Sequence, residues 1–182
     1  MRVIAGRYRG RSLRAPRGTA TRPTSDRVRE ALFSMLVSVE GARVLDLFAG
    51  TGALGIEALS RGAASAVFVE RDRAALASLR ANLAGLDLAE PLAQVRERDA
   101  LLAVQGAVTA GERFDLVFLD PPYALAETLA PKLADALAGL VARDGRAVVE
   151  SGRRAPLPLP LPLERERRYG DTSIRIHRRD DG

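Results

Sequence analysis

From residue 43 onward, short apolar runs alternate with stretches whose apolar positions recur at helical spacing. The runs at 43–48, 66–70, 92–95, 114–119 and 146–150 are four to six residues long, as buried strands are. Residues 53–60, 72–84 and 124–140 carry the helical spacing, and Asp99 can cap a further helix starting at Ala100. Strands alternating with helices of this length specify an α/β fold, a doubly wound and mostly parallel sheet covered on both faces. The C-terminal part departs from this pattern. Pro and Leu alternate over 156–163, which excludes a central strand and predicts an extended linker. Residues 164–169 and 173–177 flank Gly170-Asp171, a hairpin signal, so the sheet is expected to end in an antiparallel pair.

Upstream of the regular pattern, the apolar stretches 3–5 and 12–13 flank a turn rich in Gly and Arg, which predicts a small hairpin. Residues 16–23 read as loop. Thr24-Ser25-Asp26 then offers capping oxygens to a helix whose stripe is Val28, Leu32, Met35 and Leu36, with Gly41 as its stop.

At 182 residues, 47% apolar and 28% charged, the chain has the composition of one globular domain with a small appendage. It has no cysteine, which excludes disulfides, thiolate nucleophiles and cysteine-ligated metals. The longest stretch without a charge is residues 100–111, too short to span a bilayer. The basic N-terminus lacks the apolar core of a secretory signal, so a soluble intracellular protein without a membrane partner is expected.

The net charge of +5 is unevenly placed. Residues 1–30 hold nine arginines against Asp26 and Glu30, while the remainder of the chain is slightly acidic. A dense basic segment beside a near-neutral domain is the footprint of nucleic-acid contact, and a solvated tail is the plainer alternative. The chain is accordingly expected to divide into a basic hairpin-and-helix extension at 1–40, which would contact the nucleic acid, and a main domain at 41–182.

The first strand leads into Gly50-x-Gly52-x-x-Gly55 at the start of a helix, and Glu70 ends the next strand twenty residues after Gly50. Glycines at this spacing let a nucleotide cofactor approach the backbone, and a carboxylate at the second strand end accepts ribose hydroxyls. A nicotinamide dehydrogenase satisfies this segment alone. Asp46 favours another ligand, because a carboxylate at the first strand end repels a pyrophosphate but suits the ammonium and sulfonium of S-adenosylmethionine. Asp46 can also simply tie the turn through backbone N–H groups. Asp99 can reach an adenine amino group or cap the helix after it.

Asp120-Pro121-Pro122-Tyr123 follows the fourth strand directly, on the rim where open parallel sheets bind ligands. The Asp120 carboxylate and the Pro121 carbonyl form two acceptors with no proline N–H between them, a match for an exocyclic NH₂. Tyr123 offers a stacking surface for an extruded base. Methyl transfer to such an amine needs positioning and electrostatics but no metal.

These motifs resemble class I S-adenosylmethionine-dependent amino-methyltransferases. Arg9-Gly10-Arg11-x-Leu13, the run from Arg22-Pro23-Thr24 to Leu32-Phe33, and Gly52-Ala53-Leu54-Gly55-x-Glu57-Ala58-Leu59-Ser60-Arg61-Gly62 narrow the resemblance to the bacterial RsmD family. That resemblance implies a seven-stranded class I methyltransferase Rossmann-like sheet, guanine-N2 methylation of 16S rRNA in an assembled or assembling small ribosomal subunit, a cytoplasmic location and S-adenosyl-L-homocysteine as product. A monomer is expected. Asp46, Phe48, Ala49, Gly50, Gly52, Glu70, Arg71, Asp99 and Ala100 are the candidate cofactor residues. Asp120, Pro121 and Tyr123 are the candidate catalytic residues, and Arg7, Arg9, Arg11, Arg22, Thr24 and Arg27 the candidate RNA contacts. Adenine N6 fits the same two acceptors and remains an alternative acceptor. A nicotinamide oxidoreductase or a non-enzymatic RNA-binding domain would leave the 120–123 segment or the rim carboxylates unexplained.

Overall fold

The structure is a computed structural model that describes residues 1–16, 25–36, 38–121, 133, 136–152 and 158–180. Its strands are β1 (Arg43–Asp46), β2 (Ser65–Glu70), β3 (Ala93–Glu97), β4 (Phe114–Leu119), β5 (Val141–Gly152), β6 (Leu163–Tyr169) and β7 (Thr172–Arg178). Its helices are α1 (Asp26–Leu36), α2 (Ala53–Ser60), α3 (Arg73–Ala84) and α4 (Ala100–Thr109). The strands form one sheet in the order β3-β2-β1-β4-β5-β7-β6. The first five run parallel, and β7 lies antiparallel between β5 and β6. The seven-stranded sheet and its terminal antiparallel pair are as expected.

Alternation along the strands divides the core in two, because successive side chains leave opposite faces. On one face Phe68 and Phe118 pack with Ile56 of α2, Leu79 of α3 and Leu32, Phe33 and Leu36 of α1. On the other, Leu45, Val117 and Leu119 pack with Ala103 and Val104 of α4 and with Leu133 and Leu137. Gly55 lies where a Cβ would come within 2.3 Å of the Phe68 ring, so glycine lets α2 settle onto the sheet. Val3 and Leu13 of the N-terminal segment are buried in the first core, so the basic extension is anchored by apolar contact as well as by polar bonds.

The element boundaries differ from the pattern in instructive places. β1 stops at Asp46, because residues 47 and 48 already belong to the turn, although the Leu47 amide still donates to the Phe118 carbonyl at 3.1 Å. β5 starts at Val141 and not at 146, and absorbs an irregularity in which Phe114 pairs with Val141 but Leu116 with Arg146. Asp144 in that irregularity has φ 59°, a conformation that periodicity does not register. α1 ends at Leu36, short of Gly41, and the hydroxyl of Ser25 accepts from the Val28 amide at 3.3 Å. The N-terminal hairpin is reduced to one bridge, Arg2 with Ser12, because the Ile4 and Ala5 amides turn toward α2 instead of a partner strand. In the Pro-Leu run, Leu159 is buried in the second core and the Leu161 carbonyl meets Nδ1 of His177 at 2.9 Å, so residues 159–161 pack against the sheet. His177, read from sequence as a strand or surface residue, is a buried position of β7. Of the helix expected at 124–140, Leu133 and residues 136–140 are described and helical.

Candidate active site

The site is organised by register at the carboxyl ends of three neighbouring strands. Asp46 ends β1 and pairs with Phe68 of β2 on one side and Phe118 of β4 on the other. Glu70 and Asp120 each come two residues after those partners, roughly 7 Å further along by strand rise. Two carboxylates therefore flank a third on a single rim. Chain connections diverge at this point, since β1 leads to β2 on one side and β4 to β5 on the other, and such a divergence opens a crevice for ligand.

The glycine turn sits within this frame. Gly50 and Gly52 have φ 54° and 81°, which residues with a Cβ rarely adopt. A Cβ on Gly52 would also come within 2.5 Å of Leu79 Cδ1. Both neighbouring strand ends hold the turn: the Ala49 amide donates to the Val69 carbonyl at 3.0 Å, and the Gly50 amide to Glu70 Oε2 at 2.8 Å. Glu70 Oε1 also accepts from the Arg71 and Asp72 amides, at 2.7 and 2.8 Å. Glu70 thus straps the turn to β2.

Asp46 is 3% exposed, and its Oδ2 accepts from the Gly55 amide at 3.0 Å. The turn-tying role read from sequence is therefore realised. Burial pushes its carboxyl up to about 7, the Gly55 hydrogen bond opposes that shift, and the neighbouring Glu70 charge adds to it. A buried carboxylate poised near neutrality fits a cationic ligand group far better than a pyrophosphate. At the far side of the crevice, Asp99 Oδ1 caps α4 through the Leu101 amide at 2.9 Å, while its Oδ2 pairs with the Arg71 guanidinium at 2.9 Å. Ala100, the first residue of α4, is buried, and Phe48 is half-buried in the turn.

Asp120 is half-buried and Pro121 buried immediately after β4. Tyr123, Arg22 and Thr24 lie outside the described residues. Arg27 is an exposed position on α1. The Arg7 amide donates to the Ser60 carbonyl at the end of α2 at 2.7 Å, and the Arg11 guanidinium to the Gly85 carbonyl just past the end of α3 at 2.6 Å. Since α2 starts at the glycine turn and has eight residues, that tip lies about 12 Å from the turn. The tip is set back from the crevice and does not cover it.

Four polar residues that sequence reasoning gave no role hold the arm in place. Glu57, fully buried on α2, accepts from the Ile4 amide at 2.7 Å, the Ala5 amide at 3.0 Å and Nε of Arg61 at 2.7 Å. Arg29 of α1 is equally buried, 3.8 Å from Glu57 at its Nε, and donates to Asp26 and to the Arg2 carbonyl. Ser60 accepts from the Tyr8 amide at 3.0 Å and donates to the Ala5 carbonyl at 2.5 Å. Asn82 binds the backbone of Arg14. The readable signal was a carboxylate in the otherwise apolar stretch Ala53–Ser60.

The strand order and the relatives described next define a class I S-adenosylmethionine-dependent methyltransferase. The chain belongs to the family described as conserved hypothetical protein 95, the RsmD family, which matches over residues 1–178. YlbH of Bacillus subtilis, named as a candidate rRNA methyltransferase, is 42% identical over 183 residues, covering 98% of this chain and 99% of that protein. Ribosomal RNA small subunit methyltransferase D of Escherichia coli is 44% identical over 124 residues, which cover 68% of this chain and 60% of that protein. Among solved structures, the candidate methyltransferase yhhF of Escherichia coli superposes with a TM-score of 0.87 at 38% identity, covering 100% of this chain and 99% of that one. An RNA methyltransferase from Salinibacter ruber in complex with S-adenosyl-L-homocysteine shares the fold at a TM-score of 0.66 and 20% identity, over 88% of this chain and 95% of that one. The nicotinamide oxidoreductase reading is thereby set aside.

Proposed function

We propose that this protein methylates the exocyclic N2 of a guanine in 16S rRNA, within an assembled or assembling small ribosomal subunit in the cytoplasm, and works as a monomer. The observation that carries the reading is register. Asp120 follows the strand paired with β1, two residues beyond the partner of Asp46, so the amine-binding corner and the cofactor turn share one crevice.

In this reading Glu70 receives the ribose hydroxyls, Asp46 faces the ammonium end of the cofactor, and the Asp99–Arg71 pair borders the adenine. Phe48, Ala49, Gly50, Gly52 and Ala100 line the pocket. When bound, S-adenosylmethionine supplies a methyl group made electrophilic by its sulfonium. The Asp120 carboxylate and the Pro121 carbonyl accept the two N2 hydrogens and bend the amine, so that its lone pair leaves the ring plane. The new N–C bond forms as the S–C bond breaks. Asp120 then takes the proton that has become acidic, leaving N2-methylguanosine and S-adenosyl-L-homocysteine. Tyr123 stacks on the extruded base, and the arginines of residues 1–40, together with Thr24, contact phosphate.

Full support is loss of transfer in Asp120→Ala with S-adenosyl-L-homocysteine binding preserved by calorimetry, and N2-methylguanosine in nucleoside digests of wild-type product. A normal rate in that variant overturns the mechanism. N6-methyladenosine in the digest assigns the acceptor to adenine instead.

A further inference from the structure

Asn82 of α3 is buried, and it joins two segments that the sequence separates widely. Its Oδ1 accepts from the Arg14 amide at 2.7 Å, and its Nδ2 donates to the Arg14 carbonyl at 3.0 Å. The same Nδ2 donates to the Thr51 carbonyl at 2.9 Å. Thr51 stands between Gly50 and Gly52, at the centre of the cofactor turn. One turn earlier on α3, Leu79 fills the space beneath Gly52. α3 thus backs the turn with two side chains, and one of them also clamps the arm.

The clamp is placed where the arm meets the crevice. Arg7 is docked at the end of α2 and Arg11 at the end of α3, whereas Arg14 is tied through a single side chain to the turn itself. The backbone of Arg14 is fixed, and the residue is exposed. An amide is planar, and both of its hydrogens are committed here. A shift of the Thr51 carbonyl must therefore either break the bond to Asn82 or rotate the amide away from Arg14.

We infer that Asn82 is a positioning residue that couples the basic arm to the cofactor turn, so that phosphate contact at Arg14 and cofactor binding at residues 50–52 strengthen each other. The inference rests on the reading of the arm as the RNA face and of the turn as the cofactor site. Any such coupling is reciprocal in free energy.

The test uses the full chain. In the wild type, saturating S-adenosyl-L-homocysteine should slow hydrogen exchange of the Arg14 amide, which needs neither RNA nor a variant. By calorimetry, Asn82→Ala should raise the dissociation constant of S-adenosyl-L-homocysteine about tenfold, in the usual range of site coupling. With a 16S rRNA fragment as the second ligand, the wild type should bind each ligand more tightly in the presence of the other, and the variant should not. Asn82→Asp, which keeps the acceptor and loses both donors, should behave as the alanine variant does. A purely structural role would lower the melting temperature while leaving the affinity of the folded protein unchanged. Unaltered Arg14 exchange on ligand saturation overturns the coupling, as does wild-type cofactor affinity in Asn82→Ala. Slowed exchange in a wild-type protein that binds no RNA supports the Asn82 link and overturns the RNA reading of the arm instead.

Discussion

The Asp46 carboxylate, buried at the end of β1, accepts the backbone amide of Gly55 across the glycine turn at 3.0 Å. One hydrogen bond does not compensate the burial of a charge, and the carboxyl is raised to about 7. Between its unfolded value near 3.8 and about 7, the folded protein holds a proton that the unfolded chain has released. Stability from this residue is therefore complete below the unfolded value and declines as pH rises toward 7. Asp46→Asn keeps an acceptor for Gly55 and removes the titration. It should be more stable than wild type at pH 8, by up to roughly 4 kcal/mol, with no advantage at pH 3.5. Urea melts at the two pH values check this, and an equal difference at both would refute it.

Cofactor affinity should carry the opposite sign. In the proposed site the ligand's ammonium favours ionised Asp46, so binding of S-adenosyl-L-homocysteine should be flat above pH 7 and weaken below it. The limiting slope is about tenfold per pH unit, set by release of one proton on binding. Asp46→Asn should bind more weakly and lose the slope, as calorimetry across pH 5.5–8 can show.

Glu57 and Arg29 face each other fully buried, and Glu57 also anchors the Ile4 and Ala5 amides. Removing one buried partner strands the other charge, so Glu57→Leu should cost about 3–5 kcal/mol. Adding Arg29→Met should restore part of that loss in denaturant melts. The remaining deficit should appear as faster exchange of the Ile4 and Ala5 amides, because no apolar residue can accept them. Full additivity of the two single losses would refute the pairing.

Replacing Arg7, Arg9 and Arg11 with alanine should weaken RNA binding and flatten its salt dependence, each lost phosphate contact lowering the log–log slope by about 0.7–0.9. Because Arg7 docks at the end of α2 and Arg11 at the end of α3, cofactor affinity should stay within about twofold, in contrast to Asn82→Ala. Titrations at several salt concentrations decide the point, and an unchanged slope would make the arm a solvated tail.

Much of the fold was legible because strand and helix periods are local properties. The apolar runs located the parallel strands to within a few residues, and Gly170-Asp171 announced the terminal hairpin. The irregular start of β5 was not legible, since Asp144 adopts a positive φ only in the context of its neighbours. The tight glycine turn, the strand-end carboxylates Asp46 and Glu70 and the cap Asp99 were legible, because strand ends, turns and caps are local features. Glu57, Ser60 and Asn82 were not, since their partners are backbone groups more than thirty residues away.

By itself the sequence determined which residues end the parallel strands and which form the glycine turn, because strand ends and turns are written in consecutive residues. Tertiary structure alone decided that Glu70 straps the glycine turn, that burial lifts Asp46 toward neutrality, and that Asn82 joins the arm to that turn. Each of these depends on which segments meet in space and how much water they exclude, and neither quantity is a local property of the chain.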